Sequence, residues 1–248
     1  MILNFFTYLA HFKNFRKLTN FIGWHPLRDQ AWANRENYEP EVREVIKKVI
    51  KSGWTCLDIG SNIGIVTDML SIQAGPTGQV IAFEAFKANA DQLKKYLKKE
   101  IKAGYVKVNN LAVSDGISEY LYLYPGRNSA AGEWNIKGFD LNGNETEARL
   151  KVNSTSLDAF FPKDFKVNFI KIDVEGAGGQ VLIGSKSLIE RSLPVILMEF
   201  HDENEWDARK QLLEIGYHFY NLDGTSIGDN ETNRVYLCYA MHKKLNPS

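Results

Sequence analysis

The stretch Thr55-Cys56-Leu57-Asp58-Ile59-Gly60-Ser61-Asn62-Ile63-Gly64 decides the fold. A short apolar run of β character ends on Gly60, and residues 63–73 then show helical spacing until Ala74-Gly75-Pro76 closes them. A strand that turns through glycine into a helix opens a parallel α/β unit. Upstream, Val42, Val45, Ile46 and Val49 predict a helix over 41–51 that stops at Ser52-Gly53. Downstream the alternation continues with a strand at 79–85, a helix at 87–103 ended by Gly104, and a strand at 106–112. It resumes with a strand at 169–174, a helix at 180–191, a strand at 195–200 and a helix at 203–214 that ends before Gly216. Such near-continuous apolar strands belong to a sheet covered on both faces. Two last strands, 217–222 and 234–240, have no helix between them. The loop that joins them carries Asp223, Gly224, Gly228, Asp229 and Asn230, so they predict an antiparallel hairpin and a mixed sheet.

Two segments interrupt this pattern. Residues 1–39 are rich in aromatic, Asn and basic residues, with Phe5, Leu9 and Phe12 at helical spacing followed by Trp24 and Trp32. They read as an N-terminal helical extension that docks on the main domain, acts as a lid, or offers a partner surface such as a homodimer contact. A short aromatic helix followed by Lys13, Arg16 and Lys17 also admits an interfacial membrane role. Residues 118–156 insert two β-like pieces, 119–124 and 148–152, around a long polar loop. The expected organisation is an extension over 1–39 and one domain over 40–248 that carries the insertion.

The counts agree with one domain. The chain has 248 residues, 44% hydrophobic and 24% charged, with 30 Lys+Arg against 30 Asp+Glu. A net charge of zero argues against a nucleic-acid partner, which calls for a basic surplus or stripe. Lys94, Lys95, Lys98, Lys99 and Lys102, interspersed with Asp91 and Glu100, read as a solvated helix face. Cys56 and Cys238 form no metal spacing and lie in apolar runs, as buried free thiols do. The Asn-x-Ser/Thr patterns at Asn144, Asn153 and Asn230 matter only in a secreted chain. With no secretory leader and no apolar run long enough to span a membrane, a cytoplasmic location is expected.

Ligands of open α/β sheets bind beyond the carboxyl ends of the strands. Gly60 and Gly64 allow close backbone approach after the first strand, beside Ser61 and Asn62. Glu84, after the second strand, is placed to accept hydrogen bonds from ribose hydroxyls. A dinucleotide would need G-x-G-x-x-G for its pyrophosphate. This loop is G-x-N-x-G and sits beside Asp58, whose charge opposes a pyrophosphate and suits a cationic ligand such as S-adenosylmethionine. Asp58 would orient the methionine end through the Gly60 loop or water. Residues 109–115 would line the adenine, with Ala112 and Val113 in the wall and Asp115 or a backbone group at the amino group. A nicotinamide oxidoreductase and a non-catalytic module of the same fold are the competing readings.

The most distinctive run is Phe169-Ile170-Lys171-Ile172-Asp173-Val174-Glu175-Gly176-Ala177, and the next strand adds Met198-Glu199-Phe200-His201. With residues 57–64, 82–84 and 111–115, these stretches resemble the FkbM family of methyltransferases over roughly residues 54–222. The resemblance implies a class I, Rossmann-like methyltransferase fold with a seven-stranded mixed sheet in the order 3-2-1-4-5-7-6 and helices on both faces. It also implies S-adenosylmethionine-dependent O-methylation of a small molecule, sugar or glycan. Where the family often continues Glu-Gly-Ala with an acid, this chain has Gly178-Gly179.

Methyl transfer to a hydroxyl is served by a base near the acceptor. The candidates are His201, Asp173 and Glu175, with Asp173 also near the cofactor and Arg127, Asn128 and Glu199 facing the acceptor. Asp173 and Glu175 with Glu199 or His201 offer the alternative of a divalent cation. No compact ligand spacing supports one, so no metal is expected.

Overall fold

The computed structural model describes residues 26–125, 134–135 and 149–245. Two helices lead in, α1 (Pro26–Ala33) and α2 (Pro40–Val49), separated by a single 3-10 turn at Arg35–Asn37. The alternating core follows as β1 (Thr55–Ile59), α3 (Ile65–Ala74), β2 (Gln79–Phe83), α4 (Lys87–Tyr96), α5 (Lys98–Ala103) and β3 (Val106–Asn109). The inserted strands are β4 (Ala112–Val113), β5 (Tyr120–Pro125), β6 (Trp134–Asn135) and β7 (Leu150–Thr155), followed by α6 (Leu157–Phe160). The second half runs β8 (Phe169–Ile172), α7 (Gly178–Ile183), α8 (Lys186–Ser192), β9 (Val195–Glu199), α9 (Glu203–Ala208) and α10 (Lys210–Glu214). It closes with β10 (Tyr217–Tyr220), β11 (Ser226–Ile227) and β12 (Leu237–His242).

The main sheet has eight strands in the order β11-β10-β12-β9-β8-β1-β2-β3. Read from the β3 edge, this is the expected 3-2-1-4-5-7-6 order. The expected count of seven is corrected to eight, because the loop after β10 folds back and Phe219 and Tyr220 pair with Ile227 and Ser226. Pairing from β3 through β9 is parallel, and β12 runs antiparallel to both β9 and β10. Apolar cores fill both faces. One contains Leu57, Ile59, Phe83, Ile170, Ile172 and Trp206, and the other Cys56, Leu70, Val80, Leu93, Phe169 and Leu197. Successive side chains of a strand point to opposite faces, so a central strand supplies both cores, as β1 does with Cys56 and Leu57. The cysteines are buried and free, on β1 and β12, with β8 and β9 between them.

Several single elements of the sequence reading divide. The helix expected over 87–103 breaks at Leu97, and the one over 203–214 breaks at Arg209. The helix expected over 180–191 breaks at Gly184-Ser185, where Gly184 packs so closely that a Cβ would lie 2.0 Å from the Ser114 carbonyl oxygen. The strand expected over 106–112 ends at Asn109. Asn110 turns its Nδ2 onto the carbonyls of Glu84 and Ala85, at 2.8 and 2.9 Å. Ala112 and Val113 then enter a second, four-stranded sheet, β4-β7-β5-β6. The insertion is therefore β-rich as expected, and it is anchored at the chain's exit from β3. Tyr120 and Tyr122 form its outer face, with Lys151 Nζ 3.6 Å from the Tyr120 ring centre and the Arg149 guanidinium 4.2 Å from that of Tyr122.

The helical spacing around Phe5 to Phe12, and Trp24, lie outside the described residues. The described part of the extension docks on the domain. Trp32 stacks on Tyr96 at 4.3 Å, Asp29 accepts hydrogen bonds from Gln92 and Tyr96, and Arg35 pairs with Asp68 at 3.0 Å.

Candidate active site

Strand ends gather the site. Gly60 takes a left-handed backbone, φ +76°, and a Cβ there would lie 1.8 Å from the Asp173 carbonyl oxygen. The loop after β1 is thus pressed against the loop after β8, and only glycine fits. A Cβ on Gly64 would meet Leu93 at 2.6 Å, so this second glycine lets α3 and α4 close together. Ser61, buried, donates its hydroxyl to the Phe83 carbonyl and ties the loop to β2.

Asn62 is left-handed as well, φ +48°. Its N–H donates to Glu84 Oε2 at 2.8 Å, and its Oδ1 accepts from Asn89 at 2.9 Å. Glu84 Oε1 accepts the Phe86 N–H at 2.8 Å. Each carboxylate oxygen therefore takes one backbone donor, which orients the group and leaves a second lone pair on each oxygen. Burial pushes the Glu84 pKa up to about 7, and the two backbone hydrogen bonds oppose that rise.

Glu84 lines a cavity of about 730 Å³. The loop side is formed by Gly60 and Asn62, and the apolar wall by Leu111, Ala112 and Val113 together with Leu121 and Leu123 of β5. Asp173, Val174 and Glu175 close the far end. Leu121 and Leu123 escaped the sequence reading. Their alternation with Tyr120 and Tyr122 marked one apolar face, but nothing local shows what that face covers. Asp115 does not line this cavity; its Oδ1 accepts the Ile117 N–H at 3.0 Å in a turn. Arg127 and Asn128 lie outside the described residues.

Asp58 is wholly buried behind the Gly60 loop and does not line the cavity. Thr67 donates to its Oδ2 at 2.6 Å, and Lys171 Nζ stands 3.7 Å from its Oδ1. Lys171, also missed in sequence, is the hub of the site. Its ammonium donates to the Gly60 carbonyl at 3.0 Å and to Asp173 Oδ2 at 3.1 Å. Burial opposes that charge, yet Asp173, Asp58 and Glu199 around it raise the pKa. The available signal was a lone cation inside the apolar run Phe169-Ile170-Lys171-Ile172 of a central strand.

Beyond Asp173 stands His201. Its Nε2 is 3.3 Å from Asp173 Oδ1 and 3.8 Å from Glu199 Oε2, and its Nδ1 is 3.6 Å from Glu175 Oε2. Glu175 holds a left-handed backbone, φ +48°, an unusual conformation for a non-glycine residue and one that gathers at functional sites. Burial would lower the His201 pKa, but Asp173 and Glu175 outweigh it and hold the imidazole above its ordinary value. Burial likewise favours the neutral form of Asp173, and Lys171 with His201 reverses this, taking its pKa down to about 2. Glu199 goes the other way, to about 7, through burial and the Asp173 charge, while the Tyr236 hydroxyl donates to it at 2.6 Å. Asp173, Glu199 and His201 offer donor atoms within 4.8 Å of one another, a grouping able to surround a divalent cation. Buried Glu205 fixes the base of this cluster, accepting the N–H of His201 and of Gly178. Gly178 packs closely there, and a Cβ would lie 2.4 Å from the Met198 methyl carbon, so the methionine would have to shift.

The sequence over residues 58–220 matches the methyltransferase FkbM domain. The chain belongs to the FkbM methyltransferase family. S-adenosylmethionine is its cofactor, and an S-adenosyl ligand fits what surrounds the cavity. A glycine loop admits close approach, an oriented acid keeps lone pairs for a diol, and an apolar slot follows. No curated protein matches the chain. Among solved structures, the FkbM methyltransferase of Methylobacillus flagellatus KT superposes with TM-score 0.51 at 15% identity, over 81% of this chain and 50% of that one. This FkbM chain thus spans half the length of that protein. A S-adenosylmethionine-dependent O-methyltransferase from Thermotoga maritima gives TM-score 0.49 at 13% identity, over 83% and 65% of the two chains. Aeropyrum pernix fibrillarin, with natively bound S-adenosyl-L-methionine, gives 0.47 at 11% identity, over 81% and 73%. At these identities the likeness concerns the fold alone. No helix among the described residues is long and apolar enough to cross a membrane.

Proposed function

We propose that this FkbM protein methylates a hydroxyl oxygen of a small molecule, sugar or glycan. The observation that carries the proposal is the His201 imidazole set among Asp173, Glu175 and Glu199, of which Asp173 and Glu175 line the cofactor cavity. When bound, S-adenosylmethionine supplies a methyl group on a sulfonium, open to attack by an oxygen nucleophile. Glu84 binds the ribose hydroxyls, and Leu111, Ala112, Val113, Leu121 and Leu123 clasp the adenine. An aliphatic hydroxyl is almost wholly protonated at neutral pH, so its proton must leave as the new bond forms, a service worth typically 10²–10⁴-fold. Neutral His201 takes that proton. The carboxylates around it stabilise the resulting imidazolium, which is why its pKa is raised. Glu199, hydrogen-bonded to Tyr236, faces the acceptor side with its charge state poised near neutrality.

Proton removal by His201 needs no metal, and we assign the Asp173–Glu199–His201 group to acid–base work. The Lys171 ammonium already compensates the charge of Asp173. The zero net charge supports a non-nucleic-acid acceptor. The test is transfer of a tritiated methyl group to glycans, alcohols and cell extract, run with and without a chelator. His201→Ala should lower turnover about 100-fold or more while S-adenosylhomocysteine affinity changes little. Equal losses of turnover and affinity would remove His201 from the role of base, and activity abolished by the chelator would assign the cluster to a metal.

A further inference from the structure

A second cavity, about 750 Å³, lies on the other side of the Gly60 loop. It shares Gly60, Asn62 and Asp173 with the first, so the two meet at the loop. Its outer wall comes from the N-terminal extension, through Arg28, Tyr38 and Glu39. Arg28 is 4% exposed, and its Nε is buried with no hydrogen-bond partner. The adjacent acid, Asp29, uses its Oδ1 to accept from Tyr96 and Gln92. The guanidinium lies over the Phe86 ring, 5.7 Å from its centre. Glu84 and Asp29 act on the guanidinium through space, but its Nε–H is left without an acceptor, and a buried donor left unpaired is costly. Opposite in sign, half-buried Glu39 borders the same cavity from a left-handed backbone, φ +42°, with Asp173 across from it. Two cations, Arg28 and Lys171, and two carboxylates, Glu39 and Asp173, border this space. Lys171 is already paired with Asp173 at 3.1 Å, which leaves Arg28 and Glu39 as the opposite charges that a zwitterion would meet.

We propose that Arg28 receives the α-carboxylate of the cofactor's amino-acid end, with Glu39 at its α-ammonium. This rests on the S-adenosylmethionine reading of the first cavity and assigns residues 26–40 to the cofactor site. The docked extension then couples cofactor binding to its own position on α4.

Calorimetry on the full chain with three ligands tests it: S-adenosylhomocysteine, its decarboxylated analogue, and 5′-methylthioadenosine, which lacks the amino-acid end. The wild-type protein should bind S-adenosylhomocysteine about 30-fold more tightly than the decarboxylated analogue, the worth of one charge-assisted pair. Arg28→Met should erase that difference and leave 5′-methylthioadenosine affinity unchanged. Equal losses for all three ligands would reduce Arg28 to packing, and no loss for any would place its anion elsewhere, on an acceptor for example. Both results overturn the proposal. Should Arg28→Met fail to fold, the wild-type ratio and Arg28→Lys decide, since a wild-type protein indifferent to the carboxylate is fatal by itself. A wild-type protein that binds none of the three overturns the cofactor reading instead, a distinct failure.

Discussion

Glu84 after β2 and Asp173 after β8 line the same cavity from opposite ends and have opposite acidities. Burial penalises the charge of both. Glu84 is hydrogen-bonded by neutral donors, two backbone N–H groups, with Lys171 a lesser influence, and its pKa rises to about 7. Asp173 is offered the ammonium of Lys171 and the imidazole of His201, and its pKa falls to about 2. What surrounds a carboxylate, more than how deeply it sits, sets its charge. The Glu84 end of the cavity, proposed to bind the cofactor's ribose, is thus held largely by oriented dipoles, and the Asp173 end, proposed to serve the reaction, by compensating charges.

Removing the compensating charge should break the contrast most severely. Lys171→Met leaves Asp58 and Asp173 without their cation and should cost about 3–5 kcal/mol of stability at neutral pH, read from denaturant unfolding. The wild-type contribution of Asp173, whose folded pKa is depressed, is present above its unfolded value near 4 and is lost as pH falls toward about 2. The variant should lack that acid limb. Next comes the backbone contact between the two ends. Gly60→Ala must force the loop away from the Asp173 carbonyl and should cost about 3 kcal/mol together with cofactor affinity. A stable, binding-competent variant would show that the close approach is dispensable.

A smaller effect sharpens the Glu84 side. Its raised pKa means that the folded state holds the proton more tightly, so stability is present below pH 4.5 and declines as pH rises through about 7. Glu84→Gln should flatten that decline. Cofactor affinity, which uses the ionised acceptor, should rise through about pH 7 in the wild type and be weaker and flat in the variant. Smallest is Tyr236→Phe. The tyrosine hydroxyl lowers the Glu199 pKa, so its loss should move the acid limb of the turnover profile upward by a fraction of a pH unit while leaving stability within about 0.5 kcal/mol. An unmoved limb would separate Glu199 from the chemistry.

That Gly60, Asn62 and Glu84 border one cavity was legible, because strand, glycine turn and helix are local patterns and the clefts of a parallel sheet open at its strand ends. His201 could be nominated for its intrinsic pKa alone. Its surroundings could not. Asp173, Glu175, Glu199 and Tyr236 come from two strand ends and a distant loop, and their spacing exists only once β8, β9 and β12 pair. Lys171 was visible as an oddity in an apolar strand, but its role depends on Asp58 from β1 and on the Gly60 carbonyl.

The sequence by itself determined the α/β class and the acids placed at strand ends, which short-range periodicity shows, and the family, which its motifs show; the strand order came only as what the family resemblance implied. Tertiary structure alone decided the eighth strand, the second sheet that lays Leu121 and Leu123 on the cavity, and the fold of α1 that brings Arg28 to the Gly60 loop. It also decided which acids are charged. Acidity is a sum over neighbours in space, and residues 58, 171, 173 and 201 become neighbours only when the sheet closes.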